Sequence, residues 1–350
     1  MTVNIPPLHH EMADAIQYKI DQKTKPVGSL GKMERIARQI ALIQGTFQPQ
    51  LCNPVMLTVA ADHHICEEGV SSCPVEITWQ QCMNFINGGG GIGLFSRIYG
   101  FELFVVDAGV DFDFVAHPHL IDKKVRKGTR NFYREPAMTL TECRKALQNG
   151  RDVTAMMAER GSNVLGFGEM GIGNTSPASA LLSVFSGLSV PDCVGPGAGL
   201  SDEGVRHKAQ VIQAAITRHG ISKNPIENLA RFGGLEIATI AGAMLEAASR
   251  RMIIITDGFI TTSALMAAAA INPLVLDYSL FSHLSHERGH RLMVDFLNGE
   301  PIMHLDFRLG EGTGAAVAYP VIKGAVEMFN HMTSFDEAGV FNTANEVLKV

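Results

Sequence analysis

One tryptophan and five tyrosines in 350 residues leave few flat aromatic surfaces, which argues against a stacking platform for nucleic acid or carbohydrate. Positive charge is not in excess either. The 29 Lys and Arg against 35 Asp and Glu give a formal net charge of −6, so no nucleic-acid partner is expected. Six cysteines, at 52, 66, 73, 82, 143 and 193, form no C-x-x-C pair. A chain this large needs no disulfide framework, and free thiols in a reducing compartment are expected. Long apolar runs are missing: residues 263–276 break at Asn272-Pro273, short of the roughly 20 residues of a membrane span. Residues 1–14 contain His9, His10, Glu11 and Asp14 and no apolar stretch of the signal-peptide kind. The expectation is a cytoplasmic protein with no membrane partner. No internal repeat or low-complexity tract is visible.

What is there is an ordinary globular composition, 46% hydrophobic and 18% charged, with ample length for a large core. Four short apolar runs read as buried strands: Val55–Ala61, 103–107, 163–167 and 252–256. Each is followed by a polar or glycine-rich turn and then helix-like sequence, the βαβ alternation of a parallel sheet. The runs end in acids: Asp62-His63-His64, Asp107-Ala108-Gly109, Gly168-Glu169-Met170-Gly171 and Asp257-Gly258-Phe259. Ligands of parallel sheets bind beyond the C-terminal strand ends, so these acids point to a site. Residues 11–21 and 33–44 read as helices, as do 321–331 and 336–348. The predicted organisation is a small helical domain from residues 1–50 and 321–350 beside a large α/β domain, 51–320.

The chemistry concentrates in glycine-rich segments. Arg308-Leu309-Gly310-Glu311-Gly312-Thr313-Gly314 holds one carboxylate among glycines. Glycine permits close backbone approach, and a dry carboxylate has a raised pKa suited to a general base. Gly166–Ser176 leads from a strand into a helix at Pro177; an anion site at the helix start and simple N-capping by Thr175 or Ser176 both fit. It matches neither the dinucleotide fingerprint nor the Walker loop. Gly195-Pro196-Gly197-Ala198-Gly199, followed by Lys208, suits a phosphate or carboxylate. The run Gly88-Gly89-Gly90-Gly91 serves either close helix packing or close ligand approach. Cys73, before Pro74, reads as a wall residue. Asp62-His63-His64 also supports a different class, a metal-dependent phosphoesterase. A third possibility is a non-catalytic nucleotide-binding protein on the same fold.

Taken in order along the chain, these segments resemble the nicotinate-nucleotide–dimethylbenzimidazole phosphoribosyltransferases. The resemblance rests on Lys25-Pro26-Val27-Gly28-Ser29-Leu30-Gly31, Ala61-Asp62-His63 with Glu68-Gly69-Val70, residues 168–175, residues 194–199 with Lys208, Arg231-Phe232-Gly233-Gly234, Asp257-Gly258-Phe259, Ser282-His283 and residues 308–316. It implies a Rossmann-like parallel sheet flanked by helices, a homodimer, and no metal or cofactor. The implied reaction moves ribosyl phosphate from nicotinate mononucleotide to 5,6-dimethylbenzimidazole or a related base, giving α-ribazole 5′-phosphate and nicotinate with inversion. It further implies Glu311 as the base and Glu169 as a second active-site acid. Cys73, Gln81, Met170 and Leu309 would line the base pocket. Gly171, Asn174, Thr175, Gly197, Gly199, Lys208, Asp257 and Ser282 would hold phosphate and nicotinate. Cys73-Pro74 and Trp79 depart from the familiar pattern near the base pocket and leave the preferred base open.

Overall fold

The computed structural model describes residues 3–197 and 199–342. The final part of the expected C-terminal helix, 343–350, lies outside the described residues, as do Ala198 of the second glycine loop and residues 1–2. Six strands form one sheet: β1 (Val55–Ala61), β2 (Glu102–Gly109), β3 (Leu120–Asp122), β4 (Val164–Met170), β5 (Ile253–Thr256) and β6 (Ser279–Phe281). Their order is β3-β2-β1-β4-β5-β6, and every pairing is parallel. The four expected strands are all present. Every residue of β1 and β5 is buried, as a sheet covered by helices on both faces requires. The two edge strands carry three residues each. That is too short to leave a periodic signal, and they exist through pairing, Val105–Asp107 with β3 and Ile254–Thr256 with β6.

The order reverses direction between β1 and β4. Chain succession runs one way from β1 to β3 and the other way from β4 to β6. Connections therefore diverge above the ends of β1 and β4 and leave a crevice there, the switch point at which open parallel sheets bind ligands. Glu169 is the penultimate residue of β4.

Helices cover the sheet. Leu140–Glu159 begins with a capping box, in which Thr139 Oγ1 accepts the Glu142 N–H and the Glu142 carboxylate accepts the Thr139 N–H. It packs on Leu235–Ser249 through two glycines. A Cβ at Gly150 would lie 1.8 Å from the Thr239 carbonyl oxygen, and one at Gly242 would lie 2.0 Å from that of Leu147. Of the terminal helices, Ala13–Asp21 and Lys32–Gln44 match expectation to within two residues. The third begins earlier, at Thr313 rather than 321, and runs to His331. It carries Pro320 internally. Among the described residues it is followed by one short helix, Phe335–Ala338. Gly150→Ala should force the two long helices apart. A loss of about 1–3 kcal/mol, typical of overpacking, is expected in chemical denaturation, and an unchanged midpoint would contradict this packing.

Candidate active site

Glu311 occupies the loop between residues 303–310 and the helix Thr313–His331, and three separate elements hold it. Its backbone is left-handed, φ 66°, a conformation that costs a non-glycine residue free energy and persists only where neighbours enforce it. The Thr58 hydroxyl of β1 donates to its carbonyl oxygen at 2.8 Å. Beneath it lies Gly168 of β4, where a Cβ would come within 1.9 Å of the same oxygen. Following the loop, the Asp257 carboxylate accepts three backbone N–H groups: Gly312 at 3.1 Å, Gly314 at 2.7 Å and Ala315 at 3.2 Å. The helix has no capping side chain of its own, so Asp257 caps it from the end of β5.

The Glu311 side chain reaches the start of another helix, Gly90–Tyr99, where its Oε2 accepts the Ile92 N–H at 3.2 Å. Cβ atoms at Gly90 and Gly91 would each come within 3.3 Å of that oxygen. The same two glycines pack closely elsewhere, since a Cβ at Gly90 would lie 2.6 Å from the Phe85 ring and one at Gly91 would lie 2.9 Å from Leu309, so they serve helix packing as well as leaving room for the carboxylate. Burial pushes the Glu311 carboxyl above the usual range, while the Ile92 and Gly91 N–H groups pull it back. Glu169 is pushed up to about 8, chiefly by burial, although the Asn174 amide donates to it. Asp257 rises to about 7 for the same first reason.

Glu169 and Glu311 line one cavity of about 410 Å³, together with Val70, Cys73, Gln81, Met170, Asn174, Thr175 and Leu309. Every residue assigned to the base pocket is therefore in one place. Thr175, on the cavity wall, accepts a hydrogen bond of 2.6 Å from the fully buried Lys208 Nζ. Burial lowers the Lys208 ammonium to about 8, against the pull of Glu287. Gly197 comes close as well: a Cβ there would meet Thr175 Oγ1 at 3.0 Å and Lys208 Nζ at 3.6 Å. A cation, the start of Thr175–Ser186 and a glycine loop thus lie side by side, groups of the kind that can hold an anion. Thr175 is the first residue of its helix, not its cap. A larger cavity, about 640 Å³, lies around Gln48–Cys52 and Lys323–His331. The one carboxylate on its wall is Glu327, more than half exposed, whereas the smaller cavity holds two buried ones.

Several expectations need correction. Of the four strand-end acids only Glu169 faces the cavity. Asp62 accepts the Asp111 N–H at 2.8 Å, and Asp107 pairs with Lys124 at 3.1 Å. Asp257, expected at the phosphate and nicotinate end, is buried, does not line the cavity, and accepts from the helix start through both oxygens. Ser282 is fully buried and bonds inward, to the Asp257 carbonyl at 3.3 Å and His283 Nδ1 at 3.0 Å. Trp79 stacks on Phe112, centroids 4.5 Å apart, and does not line the cavity. His63 is committed to the buried Glu236, 2.8 Å away. Among the described residues no three His, Cys, Asp or Glu side chains converge as metal ligands would, and the phosphoesterase reading loses its donor set. Thr58, Glu236 and Glu287 escaped the sequence reading. Each acts through a partner far away along the chain and belongs to no glycine-rich segment.

A family model described as a phosphoribosyltransferase matches residues 5–340. A nicotinate-nucleotide–dimethylbenzimidazole phosphoribosyltransferase of Cupriavidus taiwanensis is 46% identical over 336 residues, 96% of this chain and 97% of the relative. The chain belongs to this phosphoribosyltransferase family. A member from a Janthinobacterium species is 49% identical over 324 residues, covering 92% of this chain and 93% of that one. The crystal structure of CobT from Thermus thermophilus superposes with a TM-score of 0.92 at 38% identity, covering 95% of this chain and 99% of that chain. That structure therefore shares the parallel-sheet architecture described above.

Two tests follow from the packing around the acids. Gly91→Ala should displace the Glu311 carboxylate and lower turnover by about 10²-fold, the cost of misplacing a reacting group by about an ångström; near-normal steady-state turnover would refute the close-approach role. Glu169 binds a proton more tightly folded than unfolded, so its contribution to stability is complete below its ordinary pKa and is lost as pH rises through about 8. Glu169→Gln should therefore melt about 2–5 °C above the parent at pH 9, with the gain shrinking toward pH 4. A gain independent of pH would contradict the raised pKa.

Proposed function

We propose that this chain transfers the phosphoribosyl group of nicotinate mononucleotide to 5,6-dimethylbenzimidazole or a related base, releasing nicotinate, in cobalamin synthesis. The observation that carries the reading is one cavity shared by two buried carboxylates, with the buried Lys208 bonded to Thr175 on its wall. Family membership supplies the substrates. The phosphate sits at Lys208 and the glycine loops around Gly171, Gly197 and Gly199. The acceptor base lies between Cys73, Gln81, Met170 and Leu309.

Proton accounting assigns the acids. Nicotinate departs from a pyridinium as a neutral ring bearing its carboxylate, so the leaving group needs no proton. The acceptor attacks through one ring nitrogen and must lose the proton on the other. Glu311, desolvated yet aimed by the Ile92 N–H, takes it. Proton transfer of this kind contributes about 10²–10⁴-fold. With no cation beside it, Glu169 is protonated at neutral pH. The positive pyridinium favours its carboxylate, which then stabilises the oxocarbenium-like sugar. With the two bases on opposite faces of the ribose, the glycosidic bond inverts from β to α. Asn174 keeps Glu169 oriented. Assembly as a cytoplasmic homodimer belongs to the same proposal, supported by exposed Met83, Leu94 and Ile98 on adjoining helices.

The test is product identification by mass spectrometry after incubation with nicotinate mononucleotide and a panel of benzimidazoles, purines and phenols. Glu311→Gln should lower kcat by about 10²–10⁴-fold. In the parent enzyme kcat should fall as pH drops through a pKa above the ordinary glutamate range, and the variant should lose that limb. Normal turnover by a folded Glu311→Gln protein would remove Glu311 as the base.

A further inference from the structure

Asp257 is fully enclosed, 2% exposed, and lines no part of the cavity; among the described residues no Lys or Arg pairs with it, and His283 Nδ1 lies 3.8 Å away. Burial holds the His283 imidazole down to about 4, so at neutral pH it brings no positive charge. A carboxylate so placed is costly unless its partners repay the desolvation. Its partners are the N–H groups of Gly312, Gly314 and Ala315, whose helix dipole favours an anion at that end. All three belong to the turn of chain that immediately follows Glu311. On the other side Thr58 holds the Glu311 carbonyl. Between these clamps Glu311 keeps its left-handed backbone. A side chain at Gly314 would collide with both His283 Nδ1, at 2.1 Å, and Asp257 Oδ1, at 2.7 Å, so the loop is pressed onto the carboxylate.

We infer that Asp257 is a positioning residue: its carboxylate fixes the backbone of residues 311–315 and thereby aims the Glu311 side chain into the cavity, without touching either substrate. The inference rests on the reading of Glu311 as the proton acceptor. Asp257→Asn keeps the shape and one acceptor oxygen but turns an N–H of the new amide toward a backbone N–H. It should loosen the loop while leaving the nucleotide's anion site intact.

The experiment is a double-mutant cycle on the full-length protein with Asp257→Asn, Glu311→Gln and the pair, reading kcat and the KM for nicotinate mononucleotide and checking fold by thermal unfolding. Asp257→Asn alone should lower kcat by about 10–100-fold with KM changed less than about threefold. In the Glu311→Gln background it should cost almost nothing further, because a residue acting through another has no effect once that residue is gone. A wild-type kcat for Asp257→Asn, a loss confined to KM, or losses that multiply in the pair would each overturn the inference and leave the role of Glu311 standing. Normal turnover of Glu311→Gln would overturn both. If Asp257→Asn does not fold, Asp257→Ser, whose hydroxyl still caps one N–H, takes its place in the same cycle.

Discussion

A carboxylate held in a left-handed turn is the constraint on which the site depends. Glu311 shares the positive φ of the two glycines that flank it, but without their conformational freedom. Three remote elements hold it: the Thr58 hydroxyl on β1, the bare Cα of Gly168 on β4, and Asp257 after β5. The sheet is thus a rigid base for the turn. Because strands β4 and β5 are paired in fixed register from Val164–Ile253 to Phe167–Thr256, the distance from Gly168 to Asp257 cannot drift. Precision in a reacting group comes from such over-determination, not from the flexibility of the loop that bears it.

The electrostatics share one theme. Glu169, Asp257 and Glu311 lie close enough to disfavour one another's ionisation, and burial is the largest influence on each. Their compensation comes mainly from peptide N–H groups and an amide. Fixed dipoles can stabilise a negative charge without neutralising it, so a carboxylate held by them can still take up a proton. Lys208 hydrogen-bonds to Thr175 and feels the charge of Glu287, not of Glu169 or Glu311. The cavity thus has two buried carboxylates on its wall and, behind Thr175, a buried lysine. The fold carries the cost as reduced stability at alkaline pH, a common bargain between stability and activity.

Much of this was readable along the chain. Continuous apolar runs marked β1, β2, β4 and β5, and the glycine-rich segments marked both halves of the cavity, since Glu169, Asn174, Thr175 and Glu311 all lie in or beside them. The edge strands were not readable, because three residues carry no period. Nor was the division of labour among the acids. Asp62, Asp107, Glu169 and Asp257 look alike at strand ends, yet one faces the cavity and the others serve backbone and lysine partners.

What the sequence determined by itself was therefore everything set by neighbours in the chain: strand content, the parallel alternation, the places where backbone can approach closely, and through shared segments the chemical family. Only the tertiary structure decided which acid does what. A carboxylate's pKa and aim depend on burial and on donors brought in from elsewhere. The Ile92 N–H reaches Glu311 across 219 positions of sequence and the Gly312 N–H reaches Asp257 across 55. No local pattern encodes such contacts, because they are properties of the folded sheet edge and not of the segments that meet there.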